Sequence, residues 1–327
     1  MAIIADKHYN LRDYAAQFGA NSQELAIAEV LSKKNEIIND MVMIESNLDS
    51  GHEYAVRTGI PAGTWRIAYK GLQPSKGTTK IEIARPGVCG AYSVVEKMVA
   101  EKGGHVDAVR EGQAKAIIKG MSDTVADALI HGGKKQLERC VGLEAHYNTK
   151  TVANADTAKN VVDGGSATDD VNTSIYLVVW GVDKICGFYP KGSRAGLART
   201  DYGLTTAVDG ANGEYPAYKE YFEWKVGLAV QDWRYAGRVC NIKTTDLANV
   251  DLLGVMQDLE EKVESLTDGK PVFYMNRTVK AALRKQLGAK ANVLYTPSQP
   301  GALPVMHVDE IPVHICDSIG NDESLVS

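Results

Sequence analysis

The chain has 327 residues, of which 44% are hydrophobic and 24% are charged, and it has a formal net charge of −5 and a pI of about 5.9. This composition predicts a globular protein with two domains, or one domain with extensions. The acidic balance argues against a dedicated nucleic-acid-binding protein. The sequence contains no run of 18 apolar residues, so a membrane-spanning helix is not expected. The apolar residues 1–5 are too few for a signal peptide, so we expect a protein made in a cytoplasm.

The chain is expected to begin with an arm and a helix. Residues 1–20 have a mixed character with scattered aromatic side chains, which predicts an arm. Asn21 or Ser22 can cap a helix that extends to about Asp40, because apolar residues then recur at helical spacing. A short strand is expected to follow at residues 41–44.

Residues 47–90 have a different character, since they are rich in Gly, Pro, Thr and Ser and show no helical period. One strand is predicted at Tyr54–Arg57 or at Thr64–Tyr69, and its partner at Thr78–Ile83. A two-stranded hairpin is only marginally stable by itself in water. We therefore expect this long excursion to lie on another molecule, which is a first indication of a role between subunits.

The clearest helix is predicted at Val106–Leu129. Its apolar residues recur on one face, Asp107 lies in the first turn, and His131 lies near the end, as the helix dipole favours. The pair Gly132-Gly133 is expected to end the helix. Gly112 and Gly120 lie inside it, so we expect a bend or a close packing contact there.

The middle of the chain alternates between loops and strands. Residues 147–172 and 194–215 are predicted to be loops, because they are polar or rich in glycine. Thr173–Trp180 has the continuous apolar character of a buried strand, and Lys184–Tyr189 is expected to be its neighbour.

The most regular pattern in the sequence lies in residues 218–242. Phe222, Trp224, Val226, Leu228 and Val230 occupy every second position, which is the period of a strand with one buried face. The phase shifts after residues 231–232, which are poor hairpin residues, so a bulge or sharp bend is predicted there. We expect a long strand pair that needs a covering layer.

The last third predicts helices and strands around a central sheet, which makes the fold class α+β or α/β. Helices are expected at about 250–266 and from an Asn276 cap to Gly288, with strands at 271–275, 304–308 and 311–315. Residues 317–327 are expected to be a loose tail.

The sequence carries no recognisable set of catalytic, cofactor-binding or metal-binding residues. The seven histidines and five scattered cysteines lack metal-ligand spacing, and the cysteines form no C-x-x-C pair, so we expect free thiols. Phosphate-binding and nucleophile-elbow motifs are also lacking. We therefore expect no enzyme activity, no cofactor and no metal, as for a structural building block.

Basic residues in the region 47–90 alternate with aromatic residues, and further basic residues follow the regular strand pattern. Such a set can contact nucleic acid or form salt bridges with an acidic neighbouring subunit, and in an acidic chain we favour the neighbour. The candidates for contact between subunits are Arg57, Trp65, Arg66, Tyr69, Lys70, Lys76, Lys80, Arg234 and Arg238.

Two stretches resemble a known family. Residues 59–79, GIPAGTWRIAYKGLQPSKGTT, and residues 227–242, GLAVQDWRYAGRVCNI, resemble marker stretches of the major capsid proteins of tailed bacteriophages, a group that includes podovirus and prophage capsids. The resemblance implies an α+β fold of the Hong Kong 97 type, with an arm, an extended hairpin loop, a spine helix and an axial domain. The implied segments are an arm at 1–46, an extended loop at 47–90, a peripheral domain at 91–172 with a spine helix at 106–131, a mainly axial domain at 173–310 and a C-terminal strand and tail at 311–327.

The resemblance also implies a function. It predicts a homo-oligomeric, icosahedral shell of pentamers and hexamers that encloses double-stranded DNA, assembled without a membrane in a host bacterial cytoplasm. A cement or decoration protein, a portal and a scaffold are the implied partners, and we expect stabilisation without covalent crosslinks. Two alternatives stay open at this point, which are an α/β enzyme with an active site between subunits and a nucleic-acid-binding assembly protein.

Overall fold

The computed structural model describes residues 34–153, 155–209, 212–289 and 306–327. The predicted arm and the start of its helix lie outside these residues. The helices are α1 Ile37–Asp40, α2 Lys97–Ala100, α3 Val106–His131, α4 Leu143–His146, α5 Leu252–Glu260 and α6 Arg277–Ala289. The strands are β1 Met43–Glu45, β2 His52–Gly59, β3 Thr78–Ala84, β4 Gly87–Glu96, β5 Val161–Asp163, β6 Asn172–Trp180, β7 Ile185–Tyr189, β8 Leu197–Val208, β9 Glu214–Val230, β10 Ala236–Lys243, β11 Lys270–Met275, β12 His307–Val308 and β13 Ile311–Ile315.

Strand β9 joins two regions of an 11-stranded sheet. Its first part lies between β4 and β8, and both neighbours are antiparallel to it. Its last residues pair with β7, which continues into a central region ordered β12-β13-β11-β6-β7. Strand β10 pairs with β6 and β5, and β1 pairs with β7.

The burial of β9 explains the alternation seen in the sequence. Phe222 is buried, and Trp224 packs with it in a cluster that contains Ala114 and Met121 of α3, whereas their odd-numbered neighbours do not belong to this cluster. Residues 226–230 are all buried, because here the strand enters the central region, which is covered on both faces. The backbone at Gly227 lies so close to Phe188 that an added Cβ would be 2.3 Å from the ring.

The predicted bend at residues 231–232 is confirmed, but the predicted strand pair is wrong. After β9, the chain makes a short 3-10 turn at Trp233–Tyr235, and the Asp232 side chain accepts a hydrogen bond from the Arg234 backbone N–H at 3.0 Å. Strand β10 then pairs antiparallel with β6 instead of with β9. The turn redirects the chain to a different part of the sheet.

Helix α3 has the bounds expected for the spine helix, 106–131, and extends two residues beyond the end indicated by apolar spacing alone. Its N-terminal half contacts β4 and β9 through a few residues such as Val109 and Ala114, and residues 125–130 enter the main core. Gly132 follows its last residue, and a Cβ there would be 2.0 Å from the carbonyl oxygen of Cys140. Gly120 has open space where its side chain would be, so of the two expected features, a bend or a close packing contact, the contact is not found there.

The predicted loop at residues 194–215 is wrong, since it contains the 12-residue strand β8. None of its residues is buried, because the strand lies at the sheet edge and is paired only with β9. A bulge between Asp201 and Gly203, where Gly203 has a φ of 68°, also interrupts the alternation of side chains along the strand. An edge strand that buries neither face leaves no apolar alternation in the sequence.

The later predictions are largely confirmed. The strand at 271–275 is β11, and the Asn276 side chain caps α6 by accepting a hydrogen bond from the Val279 N–H at 2.9 Å. The predicted helix at 250–266 is shorter, because α5 ends at Glu260 and the chain turns so that Glu264 N–H donates to the Arg234 carbonyl at 3.1 Å.

The predicted loose tail at residues 317–327 is wrong. Glu323 and Val326 are buried, and the Val326 backbone exchanges two hydrogen bonds with the Asn241 side chain, at 2.9 and 3.0 Å. The Ser327 carbonyl accepts from the Lys150 backbone N–H at 3.0 Å. Polar pairs with distant residues hold this segment, and such pairs leave no periodic signal in the sequence.

We expect Gly227→Ala to destabilise the subunit by about 1–3 kcal/mol, because the added methyl group would overlap the Phe188 ring. Denaturant unfolding of the isolated subunit measures this. The matched control is Gly120→Ala, in open space on α3, which should stabilise by about 0.5–1 kcal/mol. Equal effects of the two substitutions would contradict the close packing of β9 against Phe188.

Candidate assembly surface

The hairpin of β2 and β3 forms a two-stranded sheet of its own. The two strands pair from His52 opposite Ala84 to Gly59 opposite Thr78, with a shift of register between Arg57 and Gly59. The prediction of a strand at Tyr54–Arg57 is therefore confirmed, and the alternative at 64–69 is not, since residues 60–77 contain no strand. We call residues 60–77 the hairpin loop.

The hairpin loop is not covered by the rest of its own subunit. Every residue in it is exposed, and the side chains of Trp65 and Tyr69 are as accessible as in an extended peptide, at 103% and 106%. Other large apolar side chains of the loop are also exposed, namely Ile60, Ile67 and Leu72. A concentration of exposed apolar side chains of this kind marks an interaction surface.

The hairpin loop is also cationic. It contains Arg66, Lys70 and Lys76 and no acidic residue. Arg57 and Lys80 extend the positive charge onto β2 and β3, although Lys80 is paired with Glu82 at 3.0 Å. The structure thus brings seven of the nine predicted contact residues together on one projecting hairpin.

The base of the hairpin is fixed to the subunit. The His52 ring is buried 5.6 Å from the Phe188 ring, and burial lowers the pKa of His52 and raises the pKa of Tyr54. The Asn47 side chain exchanges hydrogen bonds with the Glu53 backbone at 2.7 and 2.8 Å. The hairpin therefore projects from an anchored root.

The two remaining candidates, Arg234 and Arg238, lie in different environments. Arg234 is partly exposed, and its guanidinium binds Asp232 at 2.7 Å and Glu264 at 3.1 Å. Arg238 is only 1% exposed and binds Glu323 at 2.8 Å inside the subunit. Arg238 therefore does not belong to an exposed surface, because β10 lies between β5 and β6 in the interior of the sheet.

A buried carboxylate that the sequence did not reveal holds α3 against the sheet. Glu220 on β9 is 2% exposed and binds Arg110 of α3 at 2.5 Å and Arg199 of β8 at 2.9 Å. Arg110 also binds Asp201 at 2.5 Å. The helix, the edge strand and the long strand thus share one charge cluster.

A second buried carboxylate ties α1 to the central sheet. Asp40 accepts hydrogen bonds from Lys270 at 2.7 Å, from the Tyr274 hydroxyl at 3.0 Å, and from His314. Burial alone would raise the pKa of Asp40, but hydrogen bonds from His314 and Lys270 hold it below its ordinary value. No local pattern in the sequence predicts this cluster, because its residues are far apart in the chain.

The described residues contain no group of three or more His, Cys, Asp or Glu that could hold a metal ion. In the same part of the chain, no helix is long and apolar enough to cross a membrane.

Residues 19–327 match the sequence profile of the family described as "Major capsid protein GP7". The chain belongs to this family of major capsid proteins. Its fold is similar to that of a chain in the structure of bacteriophage Epsilon15, with a TM-score of 0.79 and 28% sequence identity over 100% of this chain and 99% of that chain. A chain of the bacteriophage JBD30 capsid shares the fold, with a TM-score of 0.53 and 10% identity over 93% of this chain and 98% of that chain. No curated protein sequence matches significantly.

The resemblance inferred from the sequence is therefore confirmed. The GP7-family chain has the α+β fold of the Hong Kong 97 type, and it is a shell-forming capsid protein of a tailed phage. Its family has a structural role, its assembly is a homo-oligomeric shell, and its place is the virion capsid. The enzyme alternative finds no support.

We expect Arg238→Ala to destabilise the subunit by about 3–5 kcal/mol, because the substitution leaves the buried Glu323 carboxylate without its cation. The matched control is Arg66→Ala on the exposed hairpin loop, which should change stability by less than about 0.5 kcal/mol. Denaturant unfolding of the isolated subunits compares the two. A small effect at both positions would contradict the buried role of Arg238.

Proposed function

We propose that this capsid protein builds an icosahedral shell of pentamers and hexamers around double-stranded DNA, and that its hairpin clamps neighbouring subunits together. The exposed hairpin loop is the observation that carries this proposal. Its aromatic side chains contact nothing that would keep them from water in the subunit itself. A surface of this kind is stabilised when a neighbour covers it.

The apolar side chains of the loop supply the contact energy. Burying one large apolar side chain contributes about 1.5–3 kcal/mol. Trp65 and Tyr69 stand beside several exposed aliphatic residues, so a single loop can contribute the core of an interface. Because each subunit of a closed shell both donates a loop and receives one, the contribution repeats around the whole particle.

The charges of the loop favour an acidic receiving surface. The loop is purely cationic, whereas the whole chain carries a net charge of −5, so the remainder of the subunit is more acidic than that total. Complementary charge mainly guides orientation and encounter between partners. Arg57, Lys80 and Arg234 are the further cations that we propose for contacts between subunits.

We propose the domain division implied by the sequence, with an arm at 1–46, the extended loop at 47–90, a peripheral domain at 91–172, a mainly axial domain at 173–310 and a C-terminal segment at 311–327. The pairing of β9 with β4 on one side and β8 on the other supports an exchange in which the peripheral domain also receives strands from residues 197–224.

The proposal includes partners beyond the shell itself. An acidic subunit limits adhesion to packaged DNA, so we propose only non-specific proximity to it. We further propose a portal, a scaffold and a cement or decoration protein as partners, assembly in the host bacterial cytoplasm, stabilisation without covalent crosslinks, and no enzyme activity.

Replacing residues 60–77 with Asn-Gly should leave a folded subunit that does not assemble. Gly59 and Thr78 face each other, so a two-residue turn can close the hairpin without its loop. We expect unchanged denaturant unfolding but no shells or capsomers in negative-stain images. The control exchanges the exposed polar residues Thr64, Gln73 and Ser75 for alanine and should assemble normally. Normal shells from the shortened variant would refute the clamp.

The cationic and aromatic loop also favours a second candidate function, which is nucleic-acid binding during assembly. On our proposal, the purified subunit should not be retained on immobilised double-stranded DNA at a salt concentration of about 0.15 M, because the acidic subunit repels the phosphates. Retention that is lost in the variant with Arg66, Lys70 and Lys76 changed to Gln would support the nucleic-acid function instead.

A further inference from the structure

His131, the last residue of α3, lies between two hydrogen-bond acceptors. Its Nδ1 is 2.6 Å from the Glu144 carboxylate, and its Nε2 is 2.9 Å from the Ser318 backbone carbonyl oxygen. An ionised carboxylate and a carbonyl oxygen only accept hydrogen bonds, so each ring nitrogen must donate. A neutral imidazole has one N–H, and both contacts are therefore satisfied only by the charged imidazolium.

The charges around His131 balance when its ring is protonated. Glu144 of α4 also contacts Arg238 of β10 at 3.4 Å, and Arg238 binds Glu323 at 2.8 Å. Glu144 and Glu323 are the carboxylates whose charge raises the pKa of His131, and Arg238 joins the two. Two cations then oppose two carboxylates. Loss of the His131 proton leaves an excess negative charge in a largely buried cluster, which is unfavourable.

Both ends of this cluster hold residues 317–327, which we call the C-terminal tail. His131 binds the tail at Ser318, and Arg238 binds it at Glu323, where the Ser174 hydroxyl also donates to the carboxylate. Ser318 is further held by Asn35, whose side-chain oxygen accepts from the Ser318 N–H at 3.1 Å. The cluster therefore connects the end of α3 to the tail through a group that titrates near neutral pH.

We propose that His131 makes the C-terminal tail a pH-sensitive latch, which is closed while the imidazolium is charged and is loosened when the ring loses its proton. The latch is a property of the folded subunit, and it does not depend on how the hairpin contacts a neighbour.

The direction of the pH dependence follows from the cluster. Burial lowers the pKa of His131, but the hydrogen bond and charge of Glu144 outweigh this, and the pKa lies above the ordinary value of 6.5. A histidine whose pKa is raised by folding stabilises the folded state below its ordinary pKa and loses this contribution as the pH rises through the raised value. The His131 hydrogen bond in turn lowers the pKa of Glu144, so this carboxylate stays ionised there.

Hydrogen exchange of the full-length subunit at pH 6 and pH 9, corrected for intrinsic exchange rates, tests the latch. We expect protection of the backbone amides of residues 318–327 to fall roughly tenfold at the higher pH, the size expected for losing one charge-assisted hydrogen bond. In His131→Gln, protection should be low at both pH values, because glutamine is neutral and its two N–H donors share one nitrogen, whereas those of the imidazolium lie on opposite sides of the ring.

Two further variants separate titration of His131 from a purely structural role. Glu144→Gln removes the carboxylate that raises the pKa of His131, so the midpoint of the protection loss should move to lower pH. The matched control is His146→Gln on the same short helix. Burial lowers the pKa of His146 to about 4, so it is neutral throughout, and this variant should keep the wild-type pH profile.

Tail protection that does not change with pH in the wild-type subunit would overturn the proposal, as would a wild-type profile in His131→Gln. If His131→Gln does not fold, Glu144→Gln decides the question, because an unchanged midpoint there would also overturn the proposal. Failure of the latch would leave the hairpin clamp intact, since that clamp is measured by shell formation.

Discussion

One continuous strand supplies the backbone hydrogen bonds on which both regions of the subunit depend. The 17 residues of β9 pair with β4 and β8 at one end and with β7 at the other. Such a strand cannot shift its register by one residue without turning every buried side chain outward. Gly227 under Phe188 and Glu220 between two arginines fix that register at separate points, so the two regions of the sheet are aligned by one element.

The sequence predicts those strands and helices in which buried residues recur at a regular spacing or follow one another along the chain. The period of two in β9, the apolar run of β6 and the spacing in α3 all reflect contact with one side of a core, so their elements could be located. Strand β8 could not, because it buries neither face. The tail could not, because side chains such as Asn241 and Arg238, distant in the sequence, hold it.

The candidate surface likewise contains residues that the local sequence predicts and residues whose position depends on distant parts of the chain. The sequence predicts a contact surface in residues 47–90 because basic and aromatic residues alternate there, and the structure places them on one projecting hairpin. The prediction of Arg238 as a surface residue is wrong because a charged residue in a strand is usually exposed, whereas the carboxylates of Glu144 and Glu323 neutralise this one inside the subunit. The clusters at Asp40 and Glu220 follow the same rule, since a buried charge requires partners that only the completed fold supplies.

The contacts between residues 34–36 and residues 315–318 have a consequence for protein synthesis. Glu36 and Asn35 bind the backbone of Ile315 and Ser318, so the first and last described segments complete one layer of the core together. A nascent chain cannot form this layer until residue 318 has left the ribosome, because Asn35 and Ser318 are 283 residues apart in the chain. Translation products that end before residue 315 therefore lack this layer of the subunit core.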